Sequence, residues 1–457
     1  MTIFASKINK MPRYHIDPDK TYNLPEDIRV IKYNGSTIVV APKFANWIVL
    51  DSTAQLDAFD FFRQGHSIKE ALSYSLLDNN DVRYVVTQIE ARKFHCKEIH
   101  SSTDEGRSMH LYLTNKCNLT CPHCYMFSGQ EMKNELTTEE ILSLINDYRN
   151  VAKGTSITLS GGEPTSRKDF DSIVKMAWSI GLEVKVLTNG TLITPECVEE
   201  LAKYIYSVQI SVDGYSEESN AIIRGNGSFQ KALGTVDLFL KHGVDTAVAI
   251  TPPLNVLKEH VEDYIDFARD LSNKHQDKPL RIKFAEDLIH GRLLDPSNST
   301  NKEYYELMQK IQMQLYGPDY DVVSFVNTLH NNSIIDNCMF GIFSIASNGD
   351  VYFCARISDL MPVANVRTTS FKEIYEKSIL AENATLITNL KPCKDCELIY
   401  ICGGGCRIEE FPELVKRSSF DNFDIDSIPP RICNDKIKAK FYDLMIRSNK
   451  FFYTPLD

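Results

Sequence analysis

The first hundred residues divide into three short apolar runs and three amphipathic stretches. The apolar runs have the length of strands, and they lie at 28–33, 36–41 and 46–51. Asn34-Gly35 supplies a hairpin turn between the first two. Helical periodicity follows at 53–64, 67–77 and 81–94, where Ser67 and Glu70 have the spacing of a capping box. The pattern predicts a binding module of three strands and three helices over residues 1–105, and the polar segment 101–108 is typical of a linker.

From residue 109 onward, apolar strand-like runs alternate with helical stretches. The strands are predicted at 110–115, 156–161, 183–189, 207–213, 246–252 and 281–287. The helices are predicted at 137–152, 168–181, 195–206, 229–243 and 259–275. Six such repeats over residues 106–325 indicate a parallel α/β sheet, either doubly wound or partly closed into a barrel. Gly161, Gly190 and Gly214 follow predicted strands, so ligands are expected at the carboxyl edge of the sheet.

Beyond about residue 330 the regular periodicity fails. Cysteines, glycines and short apolar pieces dominate this part, and a last helix is predicted at 435–449. Few periodic elements are expected from about residue 330 to residue 433, so bound metal is predicted to replace part of the hydrophobic core of this third part, residues 326–457.

Composition and charge narrow the class of protein. Hydrophobic residues make up 43% and charged residues 24% of the chain, as in ordinary globular proteins. The net charge of −11 disfavours a nucleic acid partner, because an acidic surface repels phosphate. No apolar run is long enough to span a bilayer, and the first twenty residues lack the apolar stretch of a secretory signal. We therefore expect a cytoplasmic protein with no membrane partner.

The cysteines are the most informative residues of the chain. There are 12 of them, and a reducing cytosol disfavours disulfides, so clustered cysteines indicate metal. Cys96 and Cys197 stand apart and are predicted to be ordinary thiols.

The first cluster has the spacing C-x3-C-x2-C and comprises Cys117, Cys121 and Cys124. Three thiolates on one tight loop can hold three irons of a cubane, which leaves the fourth iron open to a small chelating ligand. A structural zinc site normally has four protein ligands, and His123 is poorly placed to be the fourth because it adjoins Cys124.

This motif after the first strand of a βα series resembles the radical S-adenosylmethionine (SAM) superfamily. The resemblance implies a partial (β/α)6 barrel and a 4Fe–4S cluster whose open iron chelates the amino and carboxylate groups of SAM. It also implies reductive cleavage of SAM to a deoxyadenosyl radical that abstracts a hydrogen from the substrate. His123 takes the place of the aromatic residue that often precedes the third cysteine of this family.

Further segments match the superfamily in the expected order. Gly161-Gly162-Glu163-Pro164 resembles the segment that holds the methionine amino group, which suits two glycines and a carboxylate. The resemblance assigns Ser211 and Asp213 to the ribose or the SAM carboxylate. It assigns Arg224 to the SAM carboxylate.

The second cysteine set resembles the seven-cysteine SPASM extension of peptide-modifying radical SAM enzymes. The resemblance implies two auxiliary 4Fe–4S clusters, which makes three clusters in all. It assigns Cys338, Cys354 and Cys406 to one auxiliary cluster. It assigns Cys393, Cys396, Cys402 and Cys433 to the other. Seven thiolates leave one iron without a cysteine, and either another group or a substrate thiolate fills that place.

The N-terminal module resembles the winged-helix recognition element of ribosomal peptide maturation, which binds a leader peptide by strand addition. We therefore predict a maturase of a ribosomally made precursor peptide. The expected product is an intramolecular thioether or another crosslink, through carbon–carbon or carbon–oxygen bonds, while epimerisation and oxidative decarboxylation stay open. The expected reductant is a carrier such as flavodoxin or ferredoxin.

Two alternatives from other classes stay open. The chain also resembles anaerobic sulfatase-maturating enzymes, which form formylglycine, and other SPASM dehydrogenases, but Ala355 stands where the sulfatase-maturating enzymes carry an aspartate base. A non-catalytic iron–sulfur scaffold is disfavoured, because it needs neither an open iron nor an ammonium-binding segment. No catalytic acid or base is assigned; Glu286, Asp287 and His290 are polar residues near the end of the sixth strand.

Overall fold

The structure is a computed structural model, and it describes residues 17–101, 107–329, 333–415 and 428–452. The predicted linker at 101–108 lies mostly outside the described residues, as does the expected boundary at residue 105.

The N-terminal part has three strands followed by three helices, as the sequence predicts. The strands are β1 (Arg29–Tyr33), β2 (Ser36–Ala41) and β3 (Asn46–Leu50), and the helices are α1 (Thr53–Arg63), α2 (Ile68–Ser73) and α3 (Asn79–Ala91). Asn34 and Gly35 both have positive φ, at 47° and 82°, which is the backbone that a two-residue hairpin turn requires. Ser67 and Glu70 form the predicted capping box at the start of α2.

The three strands form an antiparallel sheet in the order β1-β2-β3. Because side chains alternate along a strand, the sheet has two apolar faces. Val39, Ile48 and Leu50 pack on α1 to α3 in one buried cluster. Ile38, Val40 and Trp47 pack in a second cluster with residues from the C-terminal part of the chain.

After the short strand β4 (His100–Ser101), the chain enters a series of six parallel strands. These strands are β5 (Ser108–Tyr112), β6 (Ser156–Ser160), β7 (Glu183–Thr188), β8 (Ser207–Ser211), β9 (Asp245–Ile250) and β10 (Leu280–Phe284). The intervening helices are α4 (Thr138–Val151), α5 (Phe170–Ser179), α6 (Pro195–Leu201), α7 (Glu217–Arg224), α8 (Ser228–Lys241), α9 (Leu254–Glu259) and α10 (Val261–Lys274). Two further helices follow, α11 (Asn298–Tyr316) and α12 (Tyr320–Thr328).

The order of strands in this sheet decides between the two architectures that the sequence allows. The six strands lie in chain order from β5 to β10, each parallel to the next. In such a sheet each new strand is added on the same side of the previous one, whereas the strand order of a doubly wound sheet reverses at a switch point. The fold is therefore the open, partial (β/α)6 barrel, and the fold class is confirmed.

The barrel core lies between the sheet and its helices. Met109 and Leu111 of β5 are fully buried there together with Ile141 and Ile145 of α4. Residues at alternating positions, such as His110 and Tyr112, belong to the opposite, inner face of the sheet.

All but the first of the described C-terminal strands extend the same sheet, and that first strand pairs with β4 instead. The strands of the C-terminal part are β11 (Ser333–Ile334), β12 (Phe343–Ile345), β13 (Asp350–Tyr352) and β14 (Ala364–Asn365), and its helices are α13 (Phe371–Ala384), α14 (Ile399–Cys402), α15 (Arg407–Glu410), α16 (Pro412–Val415) and α17 (Asp435–Phe452). Strand β12 pairs in parallel with β5, and β13 and β14 then add antiparallel strands beside it.

The expectation of few periodic elements beyond residue 330 is wrong. Helix α13 spans 14 residues and begins at the cap Ser370, and its buried positions include Phe371, Ile374 and Ala381. These residues join the barrel core together with Phe343 of β12. The cysteine-rich part is therefore packed onto the barrel by an ordinary hydrophobic core in addition to any metal.

Candidate functional site

The three cysteines of the first motif lie on one loop between β5 and α4. The loop is fixed by backbone bonds from Cys117 N to Gly129 O, at 3.0 Å, and from Cys124 N to Cys121 O, at 3.2 Å. Leu119 N lies 3.4 Å from Cys117 Sγ and donates toward it. Burial raises the pKa of Cys117 and Cys121, and Arg224 opposes that shift at Cys121. Neutral thiols are therefore favoured unless a cation stabilises the thiolates.

The Gly161–Pro164 segment packs directly on the beginning of this loop. Gly162 N donates to Thr114 O, and Glu163 N donates to Lys116 O, both at 2.8 Å. A Cβ on Gly161 would lie 2.4 Å from Thr114 O, and a Cβ on Gly162 would lie 2.3 Å from Lys116 O. Gly161 also has a φ of 131°. Both glycines are needed for this close approach of two backbones.

The carboxylate of Glu163 is fully buried and holds the neighbouring strand ends. Its Oε1 accepts from the Thr165 hydroxyl at 2.5 Å and the Thr188 hydroxyl at 2.7 Å, and its Oε2 accepts from Asn189 N at 2.8 Å. Burial raises the pKa of Glu163, and these hydrogen bonds oppose that shift. The predicted ammonium contact stays a prediction; the observed bonds make Glu163 a link between the ends of β6 and β7.

Asp213, Arg224 and His123 form one buried network. Asp213 is 0% exposed, and its Oδ2 accepts from Arg224 Nε at 2.6 Å. His123 Nε2 lies 3.3 Å from the same oxygen, and Thr251 N donates to Oδ1 at 2.9 Å. The Nη groups of Arg224 make no hydrogen bond to a described residue, so the guanidinium has donors for a further carboxylate. Ser211 lies two residues before Asp213 at the end of β8.

Asn189 belongs to the segment Thr188-Asn189-Gly190, which also matches the superfamily in sequence, but the sequence assigned no role to it. Its Nδ2 lies 3.9 Å from Cys117 Sγ and donates to Asn118 Oδ1 at 2.9 Å. It therefore links the end of β7 to the cysteine loop. Its position directly after a barrel strand was the feature of the sequence that could have indicated a role in the site, because such positions lie at the carboxyl edge of the sheet.

The second cysteine set separates into two groups. Cys354 and Cys406 interact electrostatically with Cys338, and Arg407 N lies 3.4 Å from Cys338 Sγ. Burial raises the pKa of Cys354 and Cys406. The remaining four cysteines line one small cavity, and they are Cys393, Cys396, Cys402 and Cys433. The structure thus brings together the same two groups that the SPASM resemblance implies.

Three consecutive glycines separate these groups where the chain passes from one to the other. Gly403, Gly404 and Gly405 all have positive φ, between 62° and 77°. This left-handed run reverses the chain between Cys402, which faces the four-cysteine cavity, and Cys406, which belongs to the other group.

Arg407 is a buried cation between the two groups. It is 0% exposed, and its side chain donates to the carbonyl oxygens of Thr385, Gly403 and Gly405 at 2.8–2.9 Å. It interacts electrostatically with Cys338 and Cys393. A buried guanidinium without a carboxylate partner among the described residues fits an anionic neighbourhood. Sequence reasoning missed it, although it directly follows Cys406.

The inner face of β5 joins the first cysteine loop to the second set. The Tyr112 hydroxyl donates to Ala355 O, next to Cys354. Tyr112 also hydrogen-bonds Tyr125, which directly follows Cys124. Among the polar residues to which the sequence assigned no role, His290 has its Nδ1 3.5 Å from Asp295 Oδ1. The centroid of its ring lies 5.8 Å from that of Phe127.

The chemistry of the donor sets fits iron–sulfur clusters, because cysteine thiolates are the usual ligands of such clusters. Among the described residues, no three His, Cys, Asp or Glu side chains converge on the position of one metal ion. Cysteines that bind separate irons of a cubane need a wider spacing than the ligands of one ion. Iron bound to the buried thiols would deprotonate them, as coordinating metals do.

Comparison with known proteins agrees with this geometry. The profile of the radical SAM superfamily matches residues 111–268, and that of an iron–sulfur cluster-binding domain, SPASM, matches residues 337–397. The mycofactocin maturase MftC of Mycobacterium tuberculosis is 30% identical over 312 residues, which cover 65% of this chain and 78% of that protein.

The chain belongs to the radical SAM superfamily.

A second relative has a different name and a similar coverage. The AdoMet-dependent heme synthase of Methanosarcina barkeri is 28% identical over 334 residues, covering 68% of this chain and 93% of that protein. Among solved structures, anSMEcpe with bound AdoMet superposes with a TM-score of 0.53 at 19% identity, over 76% of this chain and 95% of that one. This likeness concerns the fold.

Membership of the superfamily defines the cofactors. The radical SAM domain binds SAM and a 4Fe–4S cluster, and the SPASM domain binds auxiliary iron–sulfur clusters. No helix in the described part of the chain is both long and apolar enough to cross a membrane.

Proposed function

We propose that this radical SAM enzyme modifies a ribosomally made precursor peptide and closes a thioether or another intramolecular crosslink in it. The observation that carries the proposal is the N-terminal sheet, which packs on the cysteine-rich part of the same chain and has one edge with which no described strand pairs. The similarity to a maturase, MftC, supports it. When bound to the reduced cluster, SAM supplies the radical that removes hydrogen from the substrate.

The residues near the first cysteine loop hold and orient the cofactor in this proposal. Cys117, Cys121 and Cys124 carry the SAM-binding cluster. The Nη groups of Arg224 would bind the SAM carboxylate, and Asp213 orients Arg224 through its bond to Nε. The backbone at Gly161 and Gly162 would hold the methionine end of SAM, and Ser211 would bind the ribose.

Cys338, Cys354 and Cys406 would hold one auxiliary cluster, and the four cysteines of the cavity would hold the other. Such clusters would supply an acceptor for the electron that remains when ring closure removes the second hydrogen as a proton. A flavodoxin or ferredoxin supplies the electron that starts the reaction.

The leader peptide adds to β1 rather than to β3. The outer edge of β3 is covered, because Arg92 Nε donates to Trp47 O at 3.0 Å and the Tyr84 hydroxyl donates to Val49 O at 3.2 Å. No described strand pairs with the outer edge of β1.

The register of the hairpin identifies the free groups of β1. Tyr33 and Ser36 close the two-residue turn, so they form a hydrogen-bonded pair, and such pairs alternate along the ladder. Val30 and Lys32 therefore direct their N–H and C=O groups away from β2. Val30 is also 48% exposed, so the incoming strand finds both backbone groups and an apolar side chain.

A proline at position 30 tests this edge. Val30→Pro removes one outward N–H while leaving the β1–β2 ladder intact, because proline is tolerated on an edge strand. We expect the Kd for the leader of the precursor encoded beside this gene to rise about tenfold, on the order of 1.4 kcal/mol. Val30→Thr keeps the N–H and serves as the control. Equal leader affinity for the proline variant and the parent protein would refute recognition by β1.

A point variant is preferable to deletion of the N-terminal part. Ile38, Val40 and Trp47 bury a shared cluster with Leu398 and Met445 of the C-terminal part. Deletion would expose that cluster beside the four-cysteine cavity. Any loss of activity could then result from damage to the C-terminal part and not from loss of leader binding.

The second candidate function is modification of a small molecule. The similarity to the AdoMet-dependent heme synthase favours it. The radical SAM match begins at residue 111, and the N-terminal module lies before it. An enzyme for a small substrate has no evident need of an open sheet edge, so leader binding separates the two candidates.

A further inference from the structure

A second cavity lies inside the barrel, at the amino-terminal end of the strands. It has a volume of about 400 Å³ and is lined by the inner faces of β7 to β10. Its lining includes Lys185, Ser207 and Asp245, which share one register level across three neighbouring strands. Ser207 lies four residues before Ser211, or roughly 13 Å along the strand at about 3.3 Å per residue. The cavity is therefore separate from the residues that we assign to SAM.

The charged residues of this cavity are mostly cations. Arg281 is neutralised by Asp245, through Nη2–Oδ2 at 2.7 Å and Nε–Oδ1 at 3.1 Å. Lys185 and Lys283 remain, and neither has a carboxylate within 4.0 Å among the described residues. The cavity thus carries a net charge of about +2 in a chain whose net charge is −11.

Among the described residues, the hydrogen-bond contacts of the two lysine ammonium groups are long, and Lys185 Nζ also lies 5.9 Å from the centroid of the Tyr206 ring. Lys283 Nζ lies 3.4 Å from Gln209 Oε1, and Lys185 Nζ lies 3.5 Å from Ser156 Oγ. Both distances exceed those of good N–H···O bonds. Burial lowers the pKa of Lys283, and the nearby Arg281 lowers it further, with Asp245 opposing. Lys283 is exposed and Lys185 is half-buried, so both ammonium groups keep donors for water or for a ligand at the mouth of the cavity.

Neutral donors complete the lining. Thr158 and Ser207 contribute hydroxyl groups, Gln209 an amide, and Tyr206 a phenol. The volume falls within the range of small-molecule sites. A ligand that matches this lining is small, carries two negative charges and accepts several hydrogen bonds.

We propose that this cavity is a binding site for a small dianion, a phosphate or a dicarboxylate, that enters from the amino-terminal end of the barrel. Lys185 and Lys283 provide the two unpaired charges, and Arg281 remains held by Asp245. The site is independent of the proposed peptide chemistry, which takes place at the opposite end of the strands.

The test is calorimetric titration of the anaerobically purified holoprotein at constant ionic strength. The probes are inorganic phosphate and succinate, with chloride as the ionic control. We expect one equivalent of phosphate or of succinate to bind per chain. The double variant Lys185→Gln/Lys283→Gln should lose at least tenfold in affinity for that probe and keep its affinity for SAM.

The matched control is Lys302→Gln/Lys372→Gln. It makes the same charge change at two lysines that are each 78% exposed on outer helices. Phosphate binding alone would identify a phosphate ligand, and succinate binding alone would identify a dicarboxylate. The proposal is overturned if neither probe binds, if chloride competes equally, or if both double variants bind the probe as the parent protein does.

Discussion

At the scale of single residues, the spacing of the cysteines in the sequence was enough to predict which of them act together. It did not reveal the residues from distant parts of the chain that contact the site. The motif C-x3-C-x2-C is local, so Cys117, Cys121 and Cys124 could be predicted to act together. Thr251 donates to Asp213 from 38 residues away, and Asn189 reaches Cys117 across 72 residues. Such contacts depend on which strands are neighbours in the barrel. Arg407 was missed for the same reason. The carbonyl oxygens that accept from its guanidinium belong to Thr385, Gly403 and Gly405, and only the folded chain brings Thr385 to it.

The first prediction at this scale concerns the orientation of Arg224. Asp213→Asn keeps the shape of the side chain but removes the charge that faces Arg224 Nε. We expect the Kd for SAM to rise about tenfold, which corresponds to about 1.4 kcal/mol. Equilibrium dialysis under anaerobic conditions measures it, and Asp60→Asn, at an exposed ion pair with Arg63, is the control. Unchanged SAM affinity in Asp213→Asn would contradict the orienting role.

The second prediction concerns His110 on the inner face of β5. Burial lowers the pKa of His110 to about 4, and its Nε2 has no partner among the described residues. The unfolded chain takes up this proton near pH 6.5 whereas the folded chain does not, so the contribution of His110 to stability falls as the pH drops from 7 to 5. The loss is about 2 kcal/mol at pH 5.

His110→Gln removes this titration. Urea unfolding of the parent and variant proteins at pH 7 and pH 5 should give a smaller decrease for the variant. Equal decreases in the two proteins would show that His110 is not held neutral in the folded state.

At the scale of elements, periodicity predicted most helices and strands within a few residues. The predicted strand at 156–161 is observed as Ser156–Ser160, and the predicted helix at 137–152 as Thr138–Val151. Helix α13 was not predicted, because its buried positions include Ser378 and Ala381 and its apolar stripe is therefore weak. The residues that follow β6 contribute to the candidate site, because Gly161 and Gly162 lie against the backbone of the cysteine loop.

The prediction at this scale is a substitution at that contact. Gly162→Ala places a Cβ 2.3 Å from Lys116 O, so the segment and the cysteine loop must separate. We expect the variant to lose most of its SAM-dependent deoxyadenosine production and at least tenfold in SAM affinity. Gly234→Ala in α8 has no atom within 4 Å of the new Cβ and should behave as the parent protein. Normal SAM binding by Gly162→Ala would contradict the proposed role of this contact.

At the scale of the whole molecule, the barrel, the cysteine-rich part and the N-terminal sheet share continuous packing. Strand β12 pairs with β5, so the second cysteine set is attached to the strand that precedes the first. The N-terminal sheet packs on α17 and α14, and Trp47 Nε1 donates to Met445 O at 3.3 Å. The sequence indicated each part separately. The contacts between the parts join residues as far as 398 positions apart, and no local pattern reveals them.

This packing holds the proposed leader site and the barrel in one assembly. In the proposed function, the leader binds at β1, on a sheet that packs beside the four-cysteine cavity, and the remainder of the peptide extends to the barrel. Because one chain carries both functions, binding of the leader raises the local concentration of the residues to be modified.

The most direct test is the mass of the precursor peptide encoded beside this gene after anaerobic co-expression with the enzyme. We predict the loss of two hydrogens, with no fragmentation between the two linked residues. The variant Cys121→Ala should leave the peptide unchanged, because the SAM cluster then lacks one of its three ligands. An unmodified peptide from a parent enzyme that still produces deoxyadenosine would contradict peptide maturation and favour a small-molecule substrate.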